Sequence, residues 1–189
     1  PAGPVMDTAT GFRYRSYWQD GKLWMEEFRA KKGDTVHRRR YAVDYVIGSG
    51  ANTRSYLYEQ NGYFYEMPLT WYSARQLWDM SPGYHQHNSR FGRPVGPQCL
   101  DCHNSRNRFT PHSINHFQSI GEGIGCENCH GPGSLHAEWM KNPPEAMPSD
   151  SGIVNPGKLG TQRMFDACQQ CHLEGLAIPK TGKNPRDFR

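Results

Sequence analysis

Residues 123–136 read "GIGCENCHGPGSLH", and the meaning of this stretch decides what kind of fold the chain can have. Cys126 and Cys129 stand three apart, His130 follows at once, and His136 comes six residues later. The same Cys-x-x-Cys-His pattern recurs as Cys99, Cys102 and His103 in "CLDCH" and as Cys168, Cys171 and His172 in "CQQCH". The three copies account for all six cysteines, so none is left for a disulfide, a catalytic thiol or a separate metal site. Cys-x-x-Cys-His is the attachment signature of c-type haem. Two thiols add across the two vinyl groups on one edge of the porphyrin, and the adjacent histidine reaches under the ring as an axial ligand of iron.

Two rival readings share these residues. A thioredoxin-like Cys-x-x-Cys comes with a βαβ pattern and does not fix a histidine at the next position. Zinc is the stronger rival, because Cys99 and Cys102 are followed by His112 and His116 in a His-x-x-x-His spacing like that of a Cys₂His₂ finger. The gap between the pairs is short for a finger, and the other two motifs lack such a histidine pair.

Composition agrees with a fold built around large apolar cofactors. Only 35% of the 189 residues are hydrophobic, with 20 glycines and 14 prolines, which argues against a large aliphatic core. Three covalently held porphyrins supply apolar plates around which loops pack. No run approaches the ~18 apolar residues of a membrane span. The chain begins at Pro1 without a start methionine, which reads as a mature chain whose signal peptide has been removed. The formal charge of +4 is spread along the chain, with "HRRR" at 37–40 as the one basic cluster, so no nucleic-acid partner is expected. Haem propionates would bring the charge close to neutral, and Arg90, Arg93, Arg106 and Arg108 are candidates to pair with them, since guanidinium suits carboxylates.

The fold class expected is α+β with little regular secondary structure. Residues 1–72 read as an antiparallel β platform and 73–189 as a lobe of short helices and loops holding three haems, the two forming one compact unit. Asp20-Gly21 and Asn61-Gly62, each between alternating aromatic runs, are strong hairpin signals. With "TVHRRRYAVDYVIG" between them they predict a meander of about five strands, whose tyrosines and tryptophans are ordinary strand residues. Beyond residue 72, "SARQLWDM", "SLHAEWMK" and "LGTQRMFDACQQCH" predict short helices, and residues 142–157 an exposed, proline-rich connection.

Nine histidines less three proximal ones leave His37, His85, His87, His112, His116 and His136, twice the number of distal ligands three haems need. A haem closed on both faces by histidine passes electrons and has no site for substrate. His136 is too near His130 to reach over the same haem, so it is expected to ligate a neighbouring one. His112 and His116 share a face if "PHSINHF" is helical. His37 lies on a predicted strand, and His85 and His87 lie in a loop where either role is open. Met80, Met140 and Met164 are read as packing. The acidic loops leave room for calcium, although no Asp-rich motif stands out.

The stretches "YVIGSG" (45–50), "RSYL" (54–57), "WY" (71–72), "SPGY" (81–84), "CLDCHN" (99–104), "GIGCENCHGPGSLH" (123–136), "IVNP" (153–156) and "CQQCHLEG" (168–175) resemble multihaem cytochrome c domains of the type often associated with tetratricopeptide repeats. The resemblance implies a periplasmic or extracellular electron carrier with mostly bis-histidine haems. It also implies a distal-ligand role for the histidine after Gly-Pro-Gly, here His136. Similar proteins commonly continue past the "DFR" of 187–189 with further histidines and a fourth motif. A subunit that borrows a ligand from its neighbour would assemble head to tail, and such a contact that does not close gives a filament.

Electron transfer is therefore the leading expectation, as a carrier or as the repeating subunit of a conducting filament, with redox proteins or minerals as donor and acceptor. The alternative is a multihaem enzyme acting on a small nitrogen or sulfur oxyanion at one five-coordinate iron. A third reading is a filament whose haems mainly cement the fold.

Overall fold

A computed structural model describes residues 3–143, 145 and 152–172. Much of the 142–157 connection, and the chain from Leu173 to the "DFR" end, lie outside these residues. The fold is mixed α+β with strands predominating. Two compact units divide between residues 125 and 126.

The first unit opens with β1 (Val5–Met6), β2 (Arg13–Gln19), β3 (Lys22–Lys31) and β4 (Asp34–Ala42), a four-stranded antiparallel meander in chain order. The Asp20-Gly21 hairpin forms as predicted, pairing Gln19 with Lys22. Both turn residues have positive φ (51° and 72°), the left-handed conformation of a two-residue turn that matches strand twist. Lys32-Gly33 repeats that geometry (52° and 92°) between β3 and β4.

The run predicted as one strand after "HRRR" is two. The Val43 amide donates to Leu23 O of the meander (2.8 Å), and the next amide, Asp44, donates to Leu57 O of a second sheet (3.0 Å). The chain thus changes partner within two residues and continues as β5 (Tyr45–Ile47). The second sheet is built on β6 (Thr53–Gln60), with β7 (Tyr63–Glu66), β8 (Leu69–Tyr72), β9 (Leu77–Met80) and β10 (Arg93–Pro94) in the order β10-β7-β6-β8-β9 and β5 also on β6. "SARQLWDM" is not a helix. A 3₁₀ turn at Ser73–Arg75 ends at Gln76 in the left-handed region, and Trp78 then pairs with Trp71 across β8 and β9. Cross-strand aromatic pairing outweighs the weak helical propensity of a short segment.

Alternation along β6 buries the second sheet on both faces. Tyr56 and Tyr58 join Tyr14, Met25, Met67, Leu69, Met80, Tyr84 and Phe91 in one core, which the meander covers. Leu57 points the other way, to Phe64, Val95, Leu100 and Phe117. Leu100 belongs to α1 (Pro97–His103), so the second core is what seats the first Cys-x-x-Cys-His motif. The unit closes with β11 (Arg108–Phe109) and β12 (Phe117–Ser119).

The second unit contains α2 (Glu127–His130), α3 (Ser134–Lys141) and α4 (Thr161–His172), the last two as predicted, with a 3₁₀ turn at Pro156–Lys158. None of these helices buries a residue, and Leu135, Met140 and Phe165 are exposed. No helix among the described residues is long and apolar enough to cross a membrane.

Candidate haem-attachment sites

All three motifs lie on helices. In α1 and α4 the two cysteines stand at i and i+3 and the histidine at i+4, so both thiols and the imidazole share one helical face. In the short α2, Cys126 occupies the N-cap, with Cys129 and His130 following. None of the six cysteines is disulfide-bonded. The sequence treats the three motifs alike, but the structure does not. Cys126 and Cys129 are both exposed, and Cys99 and Cys102 are both half-buried, Cys99 against the second core. The third motif is unequal: Cys168 is exposed, whereas Cys171, in the last turn of α4, is half-buried. No cysteine is fully buried, so a porphyrin edge can meet two thiols beside one imidazole in every motif. The exposed apolar side chains on the described helices of the second unit fit this too, since helices that bury no residue of their own gain from an apolar body to pack on. The residues therefore fit covalently held haem.

The first motif is held by its surroundings. Gly96 caps α1 and Pro97 starts it, where a missing N–H costs nothing. Leu100 is fully buried, and its carbonyl accepts from the Asn104 amide (2.7 Å) and Asn107 Nδ2 (2.9 Å). Segment 121–125 lies along the exit of α1: Ser105 N donates to Gly123 O (2.9 Å), and Gly123 N donates to Asn104 Oδ1 (3.0 Å). Gly121 approaches so closely that a Cβ there would overlap the Ser105 carbonyl oxygen.

In the second motif the His130 ring is oriented by the backbone of Val154. Nδ1 lies 2.8 Å from Val154 O, and a carbonyl only accepts, so Nδ1 carries the proton and Nε2 keeps its lone pair for a metal. Val154 N returns a bond to His130 O (3.0 Å). Asn155 fixes the following turn, its side chain accepting from Gly157 N (3.0 Å). This gives the "IVNP" stretch a physical role that the sequence did not disclose.

The second and third motifs touch. Gln170, next to Cys171 in "CQQCH", donates through Nε2 to the carbonyl of Asn128, inside "CENCH", at 2.6 Å, and to Ala167 O at 2.8 Å. The contact has a local cause. Helix α2 ends at Gly131, whose φ is 69°, and the residue four on from Asn128 is Pro132, which has no N–H to offer the Asn128 carbonyl.

The spare histidines separate by environment. His136 lies half-buried on α3, past a Gly-Pro-Gly turn as predicted. His37 sits on the core side of β4, its Nε2 2.9 Å from Glu27 Oε1 and 3.0 Å from an Arg90 nitrogen, with Phe12 edge-on at 5.2 Å. His116 has Nδ1 2.6 Å from Thr110 Oγ1 and its ring against Tyr63, filling the space a Cβ at Gly62 would need. His85 lies 3.4 Å from Asp79, and His85, His87 and His112 are exposed.

"PHSINHF" is a turn leading into β12, not a helix. Ser113 Oγ accepts from the amides of Asn115 (3.3 Å) and His116 (2.9 Å), local bonds that compete with helix formation. His112 has a φ of 65°, so the i, i+4 geometry on which the zinc-finger reading relied is missing. Among the described residues no three His, Cys, Asp or Glu side chains gather into a metal site, for zinc or for calcium.

Two of the arginines expected to meet propionates are occupied. Arg93 pairs with Glu66 (3.0 Å) and donates to Pro82 O (2.6 Å). Arg90 grips Glu27, its Nε donating at 2.9 Å. Burial by itself pushes the Glu27 carboxyl up. Hydrogen bonds from Arg90, Tyr14 and His37 together bring it below the ordinary range. The loop carrying His85 and His87 is thereby tied down at one end by Tyr84, fully buried, and at the other by Asn88, which donates to Asp7 (2.7 Å) and Tyr14 (3.0 Å), and by Arg90.

Residues 73–131, which hold the first two motifs, match a family model described as "Cytochrome c554 and c-prime". This match bears out the resemblance to multihaem c-type cytochromes over that segment and implies covalently bound haem c there. No curated protein matches the chain. The solved structure of the outer cell wall cytochrome OcwA aligns at a TM-score of 0.41 and 20% identity, over 69% of this chain and 26% of that one. The chain thus spans about a quarter of that protein's length.

Proposed function

We propose that the chain is an electron-transfer protein carrying three haems c, one on each Cys-x-x-Cys-His motif. The haems supply one-electron chemistry, and the protein spaces them and tunes their potentials. The observation that carries this reading is the Gln170–Asn128 bond, because motifs in direct contact keep their cofactors close. Cys99 and Cys102, Cys126 and Cys129, and Cys168 and Cys171 form the thioether pairs. His103, His130 and His172 serve as proximal ligands, with His130 pre-oriented by Val154. Distal ligands come from His136 and from the exposed His85, His87 and His112, since His37 and His116 are engaged within the first unit. Histidine on both faces leaves no iron site for substrate, which favours transfer over catalysis. The periplasm or cell exterior is the compartment that fits.

Head-to-tail assembly belongs to the same proposal. The exposure of His85, His87 and His112 supports it, and the expected sign is a low-spin fraction that rises with protein concentration.

Pyridine haemochrome analysis and intact mass test the reading. Three haems per chain are expected, falling by one when either cysteine of a single motif is replaced. Zinc in place of haem would overturn it. Stoichiometric carbon monoxide binding by the reduced protein would instead favour the enzyme with an open iron.

A further inference from the structure

The face of the meander turned away from its core has the composition of a protein interface. Residues directly paired across antiparallel strands share a face, and the register places Arg13, Arg15 and Tyr17 of β2, Trp24, Glu26 and Phe28 of β3, and Arg38 and Arg40 of β4 on this one. All four cations at these positions are arginine; Lys22, paired with Gln19 beside the Asp20-Gly21 turn, is the one lysine the register adds to this face, and Lys31 and Lys32 sit at the next turn. Arginine and aromatic side chains are enriched at interfaces and lysine is depleted.

Three of the four guanidinium groups, those of Arg15, Arg38 and Arg40, are already held in place. Arg15 lies 5.6 Å from the Tyr17 ring centre and 5.3 Å from that of Phe28, and Arg40 lies 4.7 Å from Trp24. Arg40 also donates to Tyr17 Oη (3.3 Å) and Gln19 Oε1 (3.1 Å). Stacked, bonded arginines lose less freedom when they bind than mobile ones do. Glu26 shows which anion the face selects. Its carboxylate is buried between Arg15 Nε at 2.6 Å and Arg38 Nε at 3.0 Å, while these two side chains remain 48% and 58% exposed. Four arginines and Lys22 against this one carboxylate leave a net +4 on the face (5 − 1).

We propose that this face docks a protein partner through a patch of aspartate and glutamate carboxylates. The site shares no residue with the Cys-x-x-Cys-His motifs.

The test is binding of the haem-loaded protein to poly-L-glutamate at low salt, compared with inorganic polyphosphate. Arg13→Gln/Arg40→Gln leaves both Glu26 pairs intact and should weaken poly-L-glutamate binding about tenfold. Arg54→Gln/Arg75→Gln, on β6 and in the 3₁₀ turn before β9, makes the same charge change and should leave binding within about twofold. Arg40→Lys keeps the charge but loses the fork and should fall between. Equal losses for the two double variants would reduce the effect to net charge and overturn the proposal. So would tighter binding of polyphosphate, or no binding of poly-L-glutamate by the parent protein. Circular dichroism of each variant separates lost docking from lost folding.

Discussion

Replacing Arg90 with alanine should strand a buried carboxylate. Glu27 is 0% exposed and accepts from Arg90 Nε at 2.9 Å and Tyr14 Oη at 2.8 Å, with His37 Nε2 at 2.9 Å. Removing one member of a buried ion pair costs about 3–5 kcal/mol. The Arg90 side chain is 35% exposed, so water screens part of this pair, and Tyr14 and His37 keep hold of Glu27. The expected loss is therefore about 2–3 kcal/mol, or roughly 6–12 °C in midpoint for a unit of this size. The loss has a pH signature. In the parent, burial raises the Glu27 carboxyl but its hydrogen bonds more than reverse this, so its folded pKa is lowered. Such a group stabilises the fold above the unfolded carboxyl pKa of about 4.3, and that stabilisation disappears as pH falls through the lower folded value. Without Arg90 burial dominates and the contribution is lost at neutral pH as well. The gap between parent and variant is then widest near pH 7 and narrows below about pH 4. Urea unfolding of the haem-loaded protein, followed by far-UV circular dichroism at both pH values, measures it. A variant within about 0.5 kcal/mol of the parent at pH 7, or a gap that does not change with pH, would refute the reasoning.

Leu100→Ala empties a fully buried site beneath α1 and should cost about 2–5 kcal/mol in urea unfolding, with the first haem band the most perturbed. Gly62→Ala places a Cβ 2.5 Å from His116 Nε2 at a φ of +83°, and a stability loss of more than about 1 kcal/mol is expected in thermal scans. His136→Ala should convert one haem from low-spin to high-spin in the absorption spectrum, and an unchanged spectrum would remove His136 from the proposed ligands. Asn155→Ala loosens the turn that presents the Val154 carbonyl to His130, and a lowered or broadened potential for one haem in a redox titration is the expected outcome.

The sequence by itself determined the features that depend on neighbours along the chain. Cys-x-x-Cys-His is complete within five residues, so all three copies of the motif could be found in the sequence, as could the helical setting of the third. Asp20-Gly21 and Asn61-Gly62 specified their hairpins because positive φ is a local demand. Helix α3 was readable from its sequence for the same reason. What tertiary structure decided was every choice made across distance. The strand after "HRRR" divides because two sheets compete for its amides at Val43 and Asp44. "LWDM" became a strand because Trp71 lay opposite Trp78, and "PHSINHF" a turn because Thr110 and Ser113 captured its backbone and His116. Packing also made the thiols of the third motif unequal, with Cys171 half-buried and Cys168 open, a difference that their shared spacing does not carry. The roles of the histidines divided similarly. Type and number showed that ligands were plentiful. Only packing showed that His37 answers to a buried glutamate, that His116 fills the space above a glycine, and that Val154 aims His130. A side chain's partner is set by which strand or loop lies opposite it, and that neighbour is usually far away in sequence.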